Sequence, residues 1–174
     1  EVTQGSSDII VAVLDHGTQL DHPDLNVSSK SYDTETGRSP SQIWGNHGTA
    51  CSGIISAKTN NNLGVAGIAP NCPVMSISNQ LMGTSDAPQK RADGFNWAWR
   101  NGASVISNSW RSSTFSELLE DAIQSAMTNG RNGLGCVVTF SAGNYDSNTV
   151  GYPARSLPDI IVVGALSLSG KRKS

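Results

Sequence analysis

Charge is scarce in this chain: Asp, Glu, Lys and Arg make up 15% of its 174 residues and leave a net charge of −2. So neutral a composition gives no electrostatic ground for binding nucleic acid or an anionic membrane, both of which call for clustered Lys and Arg. Long apolar runs are lacking too, and none approaches the roughly 20 residues a membrane-spanning helix needs. The opening residues, EVTQGSSD, lack the basic and apolar character of a secretory signal. Only three cysteines occur, Cys51, Cys72 and Cys136, with no CxxC pair and no histidine at ligand spacing. They read as small apolar core residues. A disulfide between two of them, leaving an odd thiol, is the alternative. What is abundant is uncharged polarity, with 25 Ser and 14 Asn. That style of surface is frequent outside the cell, so a secreted or cell-surface location is expected. The 37% of apolar residues and the length suit one domain with a sizeable core.

Continuous apolar runs alternate with helical patterns. Residues 9–14, 74–77, 105–107, 136–140 and 160–163 are rich in Val and Ile and show no polar alternation, as strands covered on both faces do. Helices are expected at 47–57, 89–101 and 115–129, the last with Thr114 and Glu117 at capping-box spacing and a stop at Gly130. The stretch 28–44 reads as a long, polar, exposed loop. The expected fold is α/β, a doubly wound and mostly parallel sheet with helices on both faces, in one domain spanning 1–174. In such sheets ligands bind beyond the carboxyl ends of the strands. Asp15 closes the first strand, Asn144 comes just after the fourth run, and His47 opens a helix. All three can therefore meet on one rim.

Those residue types are parts for acyl transfer. A carboxylate beside an imidazole fixes its tautomer and stabilises the imidazolium formed on taking a proton. Asp15 can thus orient His47, which serves as general base and then general acid. The Asn144 amide can donate to a developing oxyanion. Taken singly, such an Asp is more often a cap and such a His a satisfied structural residue. It is their joint occurrence that carries weight.

The string Val13-Leu14-Asp15-His16-Gly17, with Asp21-His22-Pro23-Asp24-Leu25 after it, resembles the aspartate region of the subtilisin-like serine peptidases. Asn46-His47-Gly48-Thr49 resembles their histidine region and Gly64-Val65-Ala66-Gly67-Ile68-Ala69-Pro70 the segment beyond it. Ser141-Ala142-Gly143-Asn144 resembles their oxyanion segment, and Gly151-Tyr152-Pro153-Ala154 the stretch after that. The order acid, base, amide is also that of subtilisin. The resemblance implies a serine endopeptidase acting on polypeptides, with Asp15, His47 and Asn144 in the roles above. It also implies a substrate main chain added as a strand beside Asn108, Ser109 and Trp110 and the segment 80–83. Ser141, Ala142, Gly143 and Gly151 would line the pocket for the residue preceding the scissile bond. A calcium ion is implied between the Asp24 carboxylate and the loop of Thr59, Asn61, Leu63 and Val65, a set of oxygen ligands that suits that ion. A propeptide is a further implied partner.

The departures are as informative. No Gly-Thr-Ser segment comes after Asn144, so the nucleophile is expected beyond Ser174 and these residues alone are expected to be inert. Gly83-Thr84-Ser85-Asp86-Ala87-Pro88 imitates the segment, but it precedes Asn144 and its proline comes one residue early. Ser85 is therefore read as part of a polar loop at the cleft. His16 stands where a small hydroxyl residue is usual, Ala50 where a second histidine is, and Arg111 where glycine is common; Tyr145 can shape specificity. Two rival readings compete with the peptidase. One is a non-catalytic relative that keeps the cleft to bind peptides, which would need none of Asp15, His47 and Asn144. The other is a metallohydrolase using Asp15, His16, His22 and His47, from which His22-Pro23 is drawn away by a ready role in a turn.

Overall fold

A computed structural model describes residues 3–144 and 149–171. Six strands form one all-parallel sheet: β1 (Ile10–Asp15), β2 (Tyr32–Asp33), β3 (Val74–Ser78), β4 (Ala103–Asn108), β5 (Val137–Ser141) and β6 (Ile161–Val163). Their spatial order is β2-β3-β1-β4-β5-β6. The chain therefore starts in the middle of the sheet, builds one side, then crosses over β1 to build the other. Asp15 ends β1, at the strand where the winding direction reverses, which is where open α/β sheets form a crevice.

Helices cover both faces, as the unbroken Val/Ile runs demand. On one face α2 (Ala87–Arg100) and α3 (Glu117–Gly133) pack on each other and on the sheet. Ala12, Leu14, Met75, Ile77, Ile106 and Phe140 join Phe95 and Leu119 there in the main core. Side chains alternate along a strand, so Asp15 points to the opposite face, where α1 (His47–Ser56) lies. That second interface is held by hydroxyls more than by apolar side chains. Thr18 Oγ1 bonds Ser52 Oγ at 2.7 Å, and Ser56 Oγ donates to the Cys72 carbonyl at 2.6 Å.

Three expectations need correction. The stretch 28–44 is not simply exposed: it contains β2, and Ser31, Asp33, Thr34 and Ser41 are buried. Their burial is polar, with Ser41 Oγ on Ser76 Oγ at 2.9 Å and Asn79 Nδ2 on Thr34 Oγ1 at 2.7 Å. No apolar period marks a segment anchored in this way. The third helix is capped by Ser116, whose Oγ accepts from Leu119 N at 3.3 Å, in place of a Thr114–Glu117 box. The cysteines are all free, and Cys72 and Cys136 are buried as expected, but Cys51 is only half-buried. Helical geometry in α3 does break at Gly130 (ψ 161°), the expected stop.

Candidate active site

Asp15 is fully buried at the carboxyl end of β1. His47 is the first residue of α1, and its side chain is 51% exposed. Its Nδ1 lies 2.8 Å from Asp15 Oδ1 and 2.9 Å from Oδ2. A carboxylate only accepts, so Nδ1 carries the proton and Nε2 is left as the basic nitrogen. The carboxylate is aimed by its own chain, because His16 N–H donates to Oδ1 at 2.7 Å.

Close backbone approach sets the meeting of β1 and α1. Gly17 has φ +92°, a conformation that favours glycine, and a Cβ there would overlap the Gln42 carbonyl. A Cβ on Gly48 would overlap the Gly17 carbonyl. Gln19 N–H donates to Thr49 Oγ1 at 3.0 Å and Thr18 N–H to Ser76 Oγ at 2.9 Å, tying the turn after β1 to both neighbours. The pair Asp15–His47 is thus fixed from two sides.

Sequence reasoning missed one neighbour. Cys51 Sγ lies 3.7 Å from His47 Nδ1 and 3.9 Å from Nε2, and 3.8 Å from Ser109 Oγ. The signal was available: residues four apart on a helix share a face. Burial first, and the Asp15 charge second, push the Cys51 thiol above its ordinary range, while the Ser109 hydrogen bond pulls the other way. Asp15, His47 and Cys51 are the one group of three or more metal-ligating side chains clustered among the described residues. Of the other histidines, His16 stands edge-on to His47 with ring centroids 6.2 Å apart, and His22 Nδ1 accepts from Asp24 N–H inside a turn.

The β4 and β5 ends complete the rim. Asn108 is buried: its Nδ2 donates to the Ile106 and Thr139 carbonyls at 3.2 and 3.1 Å, and its Oδ1 is enclosed with no partner among the described residues, so the side chain is turned into the fold. Among the described residues, the backbone of Ser109 and Trp110 makes no backbone hydrogen bond, leaving an open edge. Trp110 packs edge-on against Phe140 at 5.0 Å and lines a cavity of about 480 Å³ together with Ser141, Ala142, Gly143 and Gly151. Gly151 lies against the aliphatic stem of Arg111, which lines the same cavity. Asn144 follows Gly143 (φ +97°) and is exposed beside this cavity. Tyr145 lies outside the described residues. Ser85 sits in an exposed turn before α2, and among the described residues no hydroxyl is hydrogen-bonded to His47.

A second cluster surrounds Asp24, buried at 3% exposure. Asn61 Nδ2 donates to its Oδ1 at 2.7 Å, and Val65 N–H to its Oδ2 at 3.4 Å. Asn60, Asn62 and Gly64 all have φ between 48° and 60°, so left-handed residues alternate with 61, 63 and 65 and curl the loop onto Asp24. The carbonyls of Thr59, Asn61, Leu63 and Val65 accept no backbone hydrogen bond among the described residues.

Comparison with known proteins agrees with this architecture. The sequence model described as the subtilase family matches residues 6–174. Subtilisin E of Bacillus subtilis (strain 168) is 34% identical over 174 residues, covering 97% of this chain and 43% of that protein. A calcium-dependent protease of Trichormus variabilis is 32% identical over 193 residues, covering 95% of this chain and 27% of that one. The chain thus spans less than half the length of these curated relatives. Among solved structures, MycP1 with its N-terminal propeptide removed superposes with a TM-score of 0.78 at 20% identity, over 99% of this chain and 61% of that one. At that identity the likeness speaks for the fold.

Proposed function

The chain belongs to the subtilase family, and we propose that it is the acid–base and oxyanion part of a serine endopeptidase. One observation carries the reading: His47 Nδ1 held at 2.8 and 2.9 Å by both oxygens of a buried Asp15, with the ring's other edge open. Peptide binding alone requires no such pair. A serine outside these 174 residues attacks the substrate carbonyl as His47 Nε2 takes its proton. Asp15 holds the tautomer and stabilises the imidazolium, and Asn144 donates to the oxyanion. His47 then returns the proton to the leaving amine. The 174 residues alone are inert in this reading.

The substrate main chain lies along Ser109 and Trp110, whose backbone groups are available for strand addition. The residue before the scissile bond enters the cavity lined by Ser141, Ala142, Gly143 and Gly151. A serine-directed fluorophosphonate tests the reading on the full-length protein. We expect covalent labelling that is lost in His47→Ala; a folded protein that resists labelling would overturn it.

The Asp24 loop fits calcium. It offers one buried carboxylate and the uncommitted carbonyls of Thr59, Leu63 and Val65, all hard oxygen donors, and the Asn61 amide, which gives its N–H to Asp24 and takes one from Leu63, would turn its oxygen inward to join them. Bound there, the ion would brace the loop after α1 and take no part in proton transfer. A relative's name, calcium-dependent protease, agrees with that assignment. Millimolar calcium should raise the melting temperature, and Asp24→Asn should abolish the rise; an equal response in both proteins would refute the site. No helix among the described residues is long and apolar enough to cross a membrane. A secreted or cell-surface location and a propeptide partner complete the reading, the latter in line with the propeptide of MycP1.

A further inference from the structure

Arg91 is the least expected residue in the core. It lies on α2 among Ala87, Ala92, Phe95 and Ala98, and only 2% of it is exposed. A buried cation needs a counter-charge or full hydrogen bonding, and Arg91 has neither. Its guanidinium sits 4.8 Å over the Trp110 ring, and Nη2 donates to the Met82 carbonyl at 3.1 Å. Its Nε is buried with no partner, as is the Trp110 indole N–H. Among the described residues no carboxylate is ion-paired with it. The one carboxylate acting on it is Glu35, already held by Lys90 Nζ at 2.7 Å and Gln80 N–H at 2.9 Å. Burial lowers the Arg91 pKa from its usual value and outweighs the Glu35 charge that raises it, as expected of a cation the fold compensates only in part.

That cation lines a pocket of about 120 Å³ between the two segments that flank the substrate path. Leu81, Gly83 and Thr84 form one wall, and Arg111, Ser112 and Ser113 the other; none of the described residues lining it is acidic. Arg111, Ser112 and Ser113 also line the larger cavity, so the two pockets are neighbours along one edge. This edge begins at Ser109, beside Cys51 and His47, and runs away from them. The larger cavity takes the residue before the scissile bond, so a side chain farther along the edge lies earlier in the substrate. Arg111, Ser112 and Ser113 are common to both pockets, so the two substrate side chains lie within a few residues of each other on a chain that advances ~3.3 Å per residue when extended.

We propose that this pocket is the subsite for an acidic substrate side chain, a few residues upstream of the one in the larger cavity, with Arg91 as its specificity-determining cation. The inference rests on the peptidase reading above for the course of the substrate. Glu or Asp would supply the missing counter-charge beside the Ser113 hydroxyl, while the hydroxyls of Thr84 and Ser112 already serve Asp86 and the Thr114 carbonyl. A neutral isostere would leave the cation as it is.

Paired peptides test this on the full-length protein carrying His47→Ala, which binds without turnover. Each pair differs only by Glu or Gln at one of the four positions upstream of the residue in the larger cavity, and binding is read by fluorescence anisotropy. We expect the Glu peptide to bind about tenfold tighter at one of these positions and within twofold elsewhere. Arg91→Met should bring that ratio to near one while Arg91→Lys keeps most of it. If Arg91→Met does not fold, the Glu/Gln ratios of the parent protein still decide. Ratios within twofold at every position, while the fluorophosphonate labels the full-length protein with His47 intact, would sink the inference and leave the peptidase reading standing. Absence of both labelling and peptide binding would sink the two together.

Discussion

Asp15 and Asn144 both stand at or just past the end of a buried parallel strand, yet they are built differently. Asp15 is fully buried, takes hydrogen bonds from His47 Nδ1 and His16 N–H, and is reached only because Gly17 and Gly48 let two backbones close on each other. Asn144 is exposed and follows a glycine at φ +97°. Beyond β5 the sheet thins to the three-residue β6, where Ile161 and Val163 are more than half exposed. The contrast follows from the chemistry each end performs in the proposed reaction. An orienting carboxylate works best dry and immobile, since its task is to hold one tautomer. An oxyanion donor must face the place where charge develops in the substrate, so it stands on the open side.

Asp15→Asn tests the buried end and should have the largest effect. An amide in place of the carboxylate can offer an N–H to Nδ1 and favour the wrong tautomer. A loss in kcat of about 10⁴-fold is expected in the full-length protein, the size known when a serine peptidase's orienting aspartate becomes an amide. Steady-state cleavage of a fluorogenic peptide measures it, and a loss below tenfold would contradict the assigned role. Asn144→Ala tests the open end. Removing one oxyanion donor costs about 10²–10³-fold in kcat, a magnitude established on subtilisin and carried here by family. KM should stay within a few-fold, because the bond forms fully only in the transition state.

The positions at both ends could be read from the sequence. Asp15, His47 and Asn144 were legible because each sits at a boundary between an apolar run or helical pattern and a polar turn. Strands β1 and β3 to β6 were legible within two residues, because strands covered on both faces need Val and Ile throughout. What escaped was burial achieved with polar atoms. The stretch 28–44 buries Ser31, which is bonded to Ser39 and Ser41, and Asp33, Thr34 and Ser41, which hydrogen-bond to β3 and to Asn79 just past it; no hydrophobic period announces them. Arg91 escaped for the same reason, since a charged residue in a helical pattern is normally assigned to the solvent face. Cys51 was missed although the expected helix at 47–57 already put it four residues from His47, on the same face.

Gly48→Ala sharpens the comparison through stability. The added methyl would press on the Gly17 carbonyl, which is backbone and cannot turn aside as a side chain would. Overpacking of this kind costs about 1–3 kcal/mol, and for a domain of this size each kcal/mol lowers Tm by roughly 2–4 °C. Calorimetry should show the loss. Gly143→Ala at the open end should cost less, since none of the described residues lies within 4 Å of where its Cβ would stand and the resistance there comes from the positive φ.

The smallest effect concerns Cys51, which reports on the buried end without any change to it. The thiolate is the form that reacts with iodoacetamide, and burial together with the Asp15 charge holds the Cys51 thiol above its ordinary range. At pH 7.5 its alkylation should therefore be several-fold slower than that of an exposed cysteine, while still faster than that of the buried Cys72 and Cys136. Asp15→Asn removes one of the two raising causes, so the pKa falls, the thiolate fraction grows and alkylation should quicken. Peptide mapping by mass spectrometry after timed alkylation reads all three sites at once. Alkylation of Cys51 at the rate of a free thiol, unchanged by Asp15→Asn, would mean that the carboxylate does not govern its surroundings. The distinction drawn between a closed acid–base end and an open oxyanion end would then fail at its firmer half.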